Sequence, residues 1–155
     1  MRRALVLFAL GCDQGDPASC RVDSFARAEL ANQSPTDCGS FSLDSDGGFS
    51  DGSMQAAHDC VLDAVARSHA FTLFYDVWDA YRHLRGGFTG SLEGGKLHTK
   101  AYAYVGDRLG GSFDPRPVLT EQSCHTIEAS GCTPSAGRPC LHCADPGQPA
   151  TLCRY

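Results

Sequence analysis

Nine cysteines in 155 residues constrain this chain more than any other feature. They are Cys12, Cys20, Cys38, Cys60, Cys124, Cys132, Cys140, Cys143 and Cys153. In a reducing compartment such a density points to metal. In an oxidising one it points to a disulfide framework that supplements a modest hydrophobic core. The odd count also means that at least one cysteine has no partner within the chain. Which compartment applies is a question for the N-terminus.

Met1-Arg2-Arg3 is followed by seven apolar residues, Ala4 to Leu10, and then by Gly11-Cys12. A basic start and a short apolar run have the form of an export signal covering residues 1–11. The run is far below the roughly 20 apolar residues that cross a bilayer, and no other stretch of the sequence approaches that length. Ala9-Leu10-Gly11-Cys12 resembles the lipobox of bacterial lipoprotein precursors, with Ala9 standing where leucine is usual. The resemblance implies cleavage before Cys12, a lipid on Cys12, and a membrane as partner through that lipid. Plain secretion after cleavage is the alternative. With Cys12 acylated, Cys20, Cys38, Cys60, Cys124, Cys132, Cys140, Cys143 and Cys153 remain as disulfide candidates. Eight cysteines allow 105 pairings, and the sequence does not choose among them.

Residues 12–37 are polar and read as a tether, with a weak helical patch from Phe25 to Leu30 and with Cys20 able to pin part of it back. Residues 38–123 carry the periodic patterns of a folded domain. Met54, Ala57, Val61, Ala64 and Val65 recur at three- and four-residue spacing within 51–68, which predicts a helix that Ser50, Asp51 or Ser53 can cap. Phe71 to Trp78 is rich in aromatic and β-branched residues and predicts a strand. A glycine-rich break spans Gly86 to Gly95. A second strand follows from Leu97 to Val105, with Leu97, Thr99, Ala101, Ala103 and Val105 on one face and Tyr102 and Tyr104 on the other. Further strands are predicted over 108–113 and 118–123. The expected fold class is α+β: one amphipathic helix on a small antiparallel sheet of three or four strands. Residues 124–155 hold five cysteines and four prolines, and read as a loop-rich tail stapled by disulfides.

Three motifs suggest chemistry and each has a plainer reading. Gly90-Ser91-Leu92-Glu93-Gly94-Gly95-Lys96 spells a phosphate-binding loop, but Leu97 replaces the magnesium-binding hydroxyl and a strand follows where a helix is required. A hairpin is expected. Asp44-Ser45-Asp46-Gly47-Gly48 has the opening of a calcium loop, yet Phe49 and Gln55 occupy the positions that need glycine and glutamate. Cys140-Leu141-His142-Cys143 has neither the helix of a redox pair nor the histidine of a haem attachment site. Zinc is its serious alternative, with Cys132, Cys140, Cys143 and Cys153 as ligands and His125 or His142 nearby. Trp78, Tyr75 and Tyr81 form a candidate aromatic patch.

The net charge of −5 becomes −7 once Arg2 and Arg3 leave with residues 1–11, and no dense Lys/Arg cluster remains. That argues against nucleic acid as a partner. His58, His69, His83, His98, His125 and His142 are scattered, and no Ser-containing elbow or His-Glu-x-x-His pair is present. No catalytic residue is assigned. Beyond the lipobox, Cys38-Gly39, a helix bearing Cys60, aromatic strands and a closing Cys124 are loosely similar to small cysteine-containing bacterial envelope lipoproteins. The expectation is a non-catalytic, exported envelope protein, tethered through Cys12, that binds an envelope protein or ligand or serves structurally, with no cofactor. A zinc module and a small secreted hydrolase or peptidase inhibitor are the alternatives.

Overall fold

The computed structural model describes residues 20–42, 51–79, 82–105, 118–132 and 140–154. The signal at 1–11, Cys12, the Asp44–Gly48 loop, Ser50, the strand expected at 108–113 and Tyr81 lie outside them. So do the side chains of Asp51, Ser53, Trp78 and His83.

Ten elements follow in chain order: α1 (Val22–Glu29), β1 (Thr36–Ser42), α2 (Asp51–Ala66), β2 (Phe71–Asp79), β3 (Arg82–Glu93), β4 (Lys96–Val105), β5 (Val118–Cys124), β6 (Thr126–Ala129), β7 (Leu141–Ala144) and β8 (Ala150–Arg154). Among the described residues, six strands form one sheet in the order β1-β2-β3-β4-β5-β8, while β6 and β7 pair only with each other. The main sheet is mixed. β1 runs parallel to β2, and every later pairing is antiparallel.

This overturns the expectation of a single helix on three or four antiparallel strands. Among the described residues there are two helices and a six-stranded sheet, and the difference has three physical sources. β1 holds Asp37, Gly39, Ser40 and Ser42, a composition that disfavours strands. It is a strand because α2 is the crossover that returns the chain to a parallel neighbour, β2. Next, the glycine-rich break is itself β3. Its turn is only Gly94-Gly95, at φ 57° and 79°, the left-handed pair that a tight hairpin demands. The spelling of a phosphate-binding loop is therefore a strand and a two-residue turn. Finally, the tail is not merely stapled loop: it supplies the β6–β7 ribbon and the edge strand β8.

Each face of the sheet is covered. Phe71, Leu73, Phe88 and Ile127 pack with Cys38, Ala57, Val61 and Ala64 on the α2 side, where Tyr75, Leu97 and Leu141 extend the cluster. Phe74, Tyr102, Tyr104 and Leu119 point the other way, toward Cys20, Val22 and Phe25. Of the apolar positions predicted for α2, Met54, Ala57, Val61 and Ala64 are buried and Val65 is partly buried. α2 then ends in a left-handed Ser68 (φ 53°), with Ser68 N donating to Val65 O and His69 N donating to Ala64 O. That bond pair is the helix stop that glycine usually supplies. Within the segment read as a tether, residues 22–29 form α1, with Val22 and Ala26 buried against the sheet.

Glycines in β3 make room for rings in β2. A Cβ at Gly90 would stand 2.5 Å from the Phe71 ring, and one at Gly87 would stand 2.7 Å from the Phe74 ring. Each aromatic lies across its cross-strand or diagonal glycine, so the glycines work as troughs.

Candidate functional site

The eight cysteines Cys20, Cys38, Cys60, Cys124, Cys132, Cys140, Cys143 and Cys153 close four disulfides. Cys20–Cys153 ties the segment just ahead of α1 to edge strand β8 across 133 positions of sequence. Cys38–Cys60 ties β1 to α2. A bulge turns Cys38 inward: Gly39 adopts φ 126° while its N–H donates to Asp37 Oδ1 at 2.9 Å. Cys124–Cys143 ties the end of β5 to β7, and Cys132–Cys140 closes the far end of the β6–β7 ribbon. The four candidate zinc ligands are thus spread over three disulfides. Among the described residues, no three or more His, Cys, Asp or Glu side chains converge as a metal site.

Among the described residues, the densest polar constellation lies under α1. Glu29, at the end of that helix, accepts hydrogen bonds from Ser91 Oγ (3.1 Å, β3), Lys100 Nζ (2.9 Å, β4) and Tyr102 OH (3.2 Å, β4). Lys100 Nζ also reaches Glu121 Oε2 on β5 at 3.4 Å. The strands impose this convergence, because antiparallel partners share a face: Lys100 sits opposite Thr89, and Tyr102 opposite both Gly87 and Glu121. Burial alone would pull the Lys100 ammonium down. Its hydrogen bond to Glu29 and the charges of Glu29 and Glu121 outweigh that and hold its pKa above the ordinary lysine value. Burial pushes the Tyr102 hydroxyl well above its usual range, with the two carboxylates adding to the effect.

With Ser91 only 1 % exposed, this arrangement favours a charged Lys100 and a neutral Tyr102. Its role in the fold is to latch α1 to β3, β4 and β5 through one carboxylate. Thr89 Oγ1 is fully buried beside it and makes no well-formed hydrogen bond among the described residues.

The other polar features are slighter. On α2, His58 is buried and its Nδ1 meets Asp59 Oδ1 at 2.9 Å, while Gln55 Nε2 donates to the same oxygen at 2.8 Å. The His58 contact, then the Gln55 bond, hold the exposed Asp59 carboxyl below its usual value. His142 lies 3.8 Å from Glu128 on the ribbon surface. A shallow depression of about 390 Å³ is lined by Gln33, Ser34, Thr36, His69, Ala70 and Leu92, and its lining carries no convergent charge. Gln33 spans its rim, accepting from Leu92 N at 2.8 Å. Of the candidate aromatic patch, Tyr75 packs into the α2-side core against Phe88, ring centroids 6.3 Å apart.

Sequence reasoning did not single out Glu29, Lys100 or Glu121. The available signal was alternation in β4, which put Tyr102 and Tyr104 on the face opposite Leu97. A second covered face follows from that, since two tyrosines so placed need something to bury them. No protein-family model, no curated protein and no solved structure matches this chain.

Proposed function

We propose that the protein is an exported bacterial envelope protein, anchored by a lipid on Cys12, that acts by binding or as a structural element and not by catalysis. One observation carries the reading. Eight of the nine cysteines pair among themselves, which leaves Cys12, the lipobox position, as the odd one. Four disulfides in a chain of this size also fit an oxidising compartment. The cluster at Glu29, which latches α1 to three strands around a buried Ser91, supports a structural role. The partner is an envelope protein or ligand.

The test is expression of the full chain in a bacterium, with intact mass and membrane fractionation of wild type and Cys12→Ser. The expected result is loss of residues 1–11, added acyl mass on Cys12, and release of Cys12→Ser into the soluble fraction. Identical fractionation of the two forms overturns the anchor. Free thiols at the eight paired positions would overturn the oxidised framework as well.

A further inference from the structure

Among the described residues, β6 and β7 form a ribbon with no ladder to the main sheet. It lies on the α2 side, β6 against α2 and β4, β7 against β5. A two-stranded ribbon is marginal in water on its own. Three things hold this one down. Ile127, 2 % exposed, and the partly buried Leu141 join the α2-side core. His125 N donates to Ala144 O at 2.9 Å, and Gly147 N to Ser123 O at 2.8 Å. The third is the pair of disulfides Cys124–Cys143 and Cys132–Cys140. Cys132 is exposed, although its partner Cys140 is buried, whereas Cys20–Cys153 and Cys38–Cys60 each join a buried cysteine to a partly buried one. Cys140 is also kept at φ 53°, a conformation that residues other than glycine disfavour.

We propose that the β6–β7 ribbon is a thiol-releasable cover over the α2 face, opened by a dithiol reductant at Cys132–Cys140 and then at Cys124–Cys143. One thiolate of the reductant attacks Cys132 Sγ, the S–S bond breaks, and Cys140 leaves as a thiolate that takes a proton. The second thiol of the reductant displaces Cys132 from the mixed disulfide. The two cysteines gain two electrons and two protons, and the reductant departs as a cyclic disulfide. Cys140 is then free to leave the left-handed region, and the far end of the ribbon loosens. The same exchange at Cys143 removes the link to β5. Lifting the ribbon withdraws Ile127 and Leu141 from the core and bares the part of α2 that packs on β6, while β1 and β2 still cover the rest of its apolar side and Cys20–Cys153 and Cys38–Cys60 stay closed.

The test uses the full oxidised chain with any free thiol blocked, treated with graded dithiothreitol without denaturant, pulse-alkylated and mapped by peptide mass, with amide hydrogen exchange in parallel. Cys132 and Cys140 are expected to alkylate first and Cys124 and Cys143 next, on the order of tenfold or more ahead of the other four, as local opening precedes global opening. Amides of 126–129 and 141–144 lose protection while those of β3 and β4 keep it. Simultaneous opening of all eight cysteines overturns the proposal. So does persistent protection of 126–129 after both ribbon disulfides are reduced. A Cys132→Ser/Cys140→Ser chain gives a second reading: faster reduction of Cys124–Cys143 is expected, and an unchanged rate counts against the cover.

Discussion

Gly90 in β3 tests whether the glycines of that strand are troughs for the rings of β2. In Gly90→Ala the new methyl carbon would sit 2.5 and 2.6 Å from two carbons of the Phe71 ring and 3.0 Å from Leu97 Cδ1. Carbon atoms rest about 3.5–4.0 Å apart, so the overlap with the ring is roughly 1 Å. Phe71 is fully buried in the α2-side core, where close packing leaves a ring little room to withdraw. Forcing one extra methyl group into such a core costs about 1–3 kcal/mol. Against that, alanine lowers the entropy of the unfolded chain by about 0.4–1 kcal/mol, and the backbone at Gly90 is not left-handed, so alanine adds no strain there. The net expectation is a loss of about 1–2 kcal/mol, read as a lower urea midpoint at unchanged slope in the oxidised protein. Pairing the change with Phe71→Leu should give a double variant more stable than the sum of the single effects by about 1 kcal/mol. Wild-type stability in Gly90→Ala, or strict additivity in the pair, would refute the trough.

Three other outcomes follow from the same structure. Ser68→Gly should stabilise by about 0.5–1 kcal/mol in urea unfolding, because Ser68 holds the left-handed stop of α2 and glycine holds it without a Cβ penalty. Lys100→Met leaves Glu29 and Glu121 without the cation between them; at side-chain exposures of 20–26 % this should cost about 1–2 kcal/mol at pH 7. Urea midpoints of the wild type and the variant at pH 7 check it. Alkali should unfold the protein early. Burial pushes the Tyr75 hydroxyl up to about 12, above its unfolded value of about 10. The folded state therefore holds its proton longer than the unfolded one. The stability this confers is intact below pH 10 and is lost progressively as pH rises toward 12, by roughly 2 kcal/mol for this group. Tyrosinate absorbance at 295 nm should lag in the folded protein and appear with unfolding.

Legibility in the sequence tracked how local the determinants were. The face of α2 could be read from Met54 to Val65, because a helix repeats its burial every three to four residues within one segment. Strands β2, β4 and β5 were legible from their own aromatic and β-branched residues. β1 was not, since nothing inside Thr36–Ser42 calls for a strand; its pairing depends on Phe71–Asp76 thirty-odd residues later. Gly86, Gly87 and Gly90 argued for a break and are a strand instead, because tertiary fit to Phe71, Phe74 and Tyr75 outweighs β-propensity. The cluster at Glu29 needed α1, β3, β4 and β5 together, and no spacing in one segment encodes it. The number of cysteines available for pairing was readable, but their partners were not, since pairing is fixed by which strands become neighbours.

The Cys20–Cys153 bond has a consequence for the order of events during synthesis. A chain emerging from its N-terminus exposes Cys20 and Cys38 together long before Cys153 exists, and short loops close far more readily than one of 133 positions. Pairing by order of appearance would join Cys20 to Cys38, Cys60 to Cys124, Cys132 to Cys140, and Cys143 to Cys153. Only Cys132–Cys140 is native in that scheme. Three native bonds therefore require either that early cysteines wait or that wrong pairs are exchanged. The yield of correctly folded protein should accordingly depend on a disulfide isomerase, with Cys20–Cys38 as the principal trapped species.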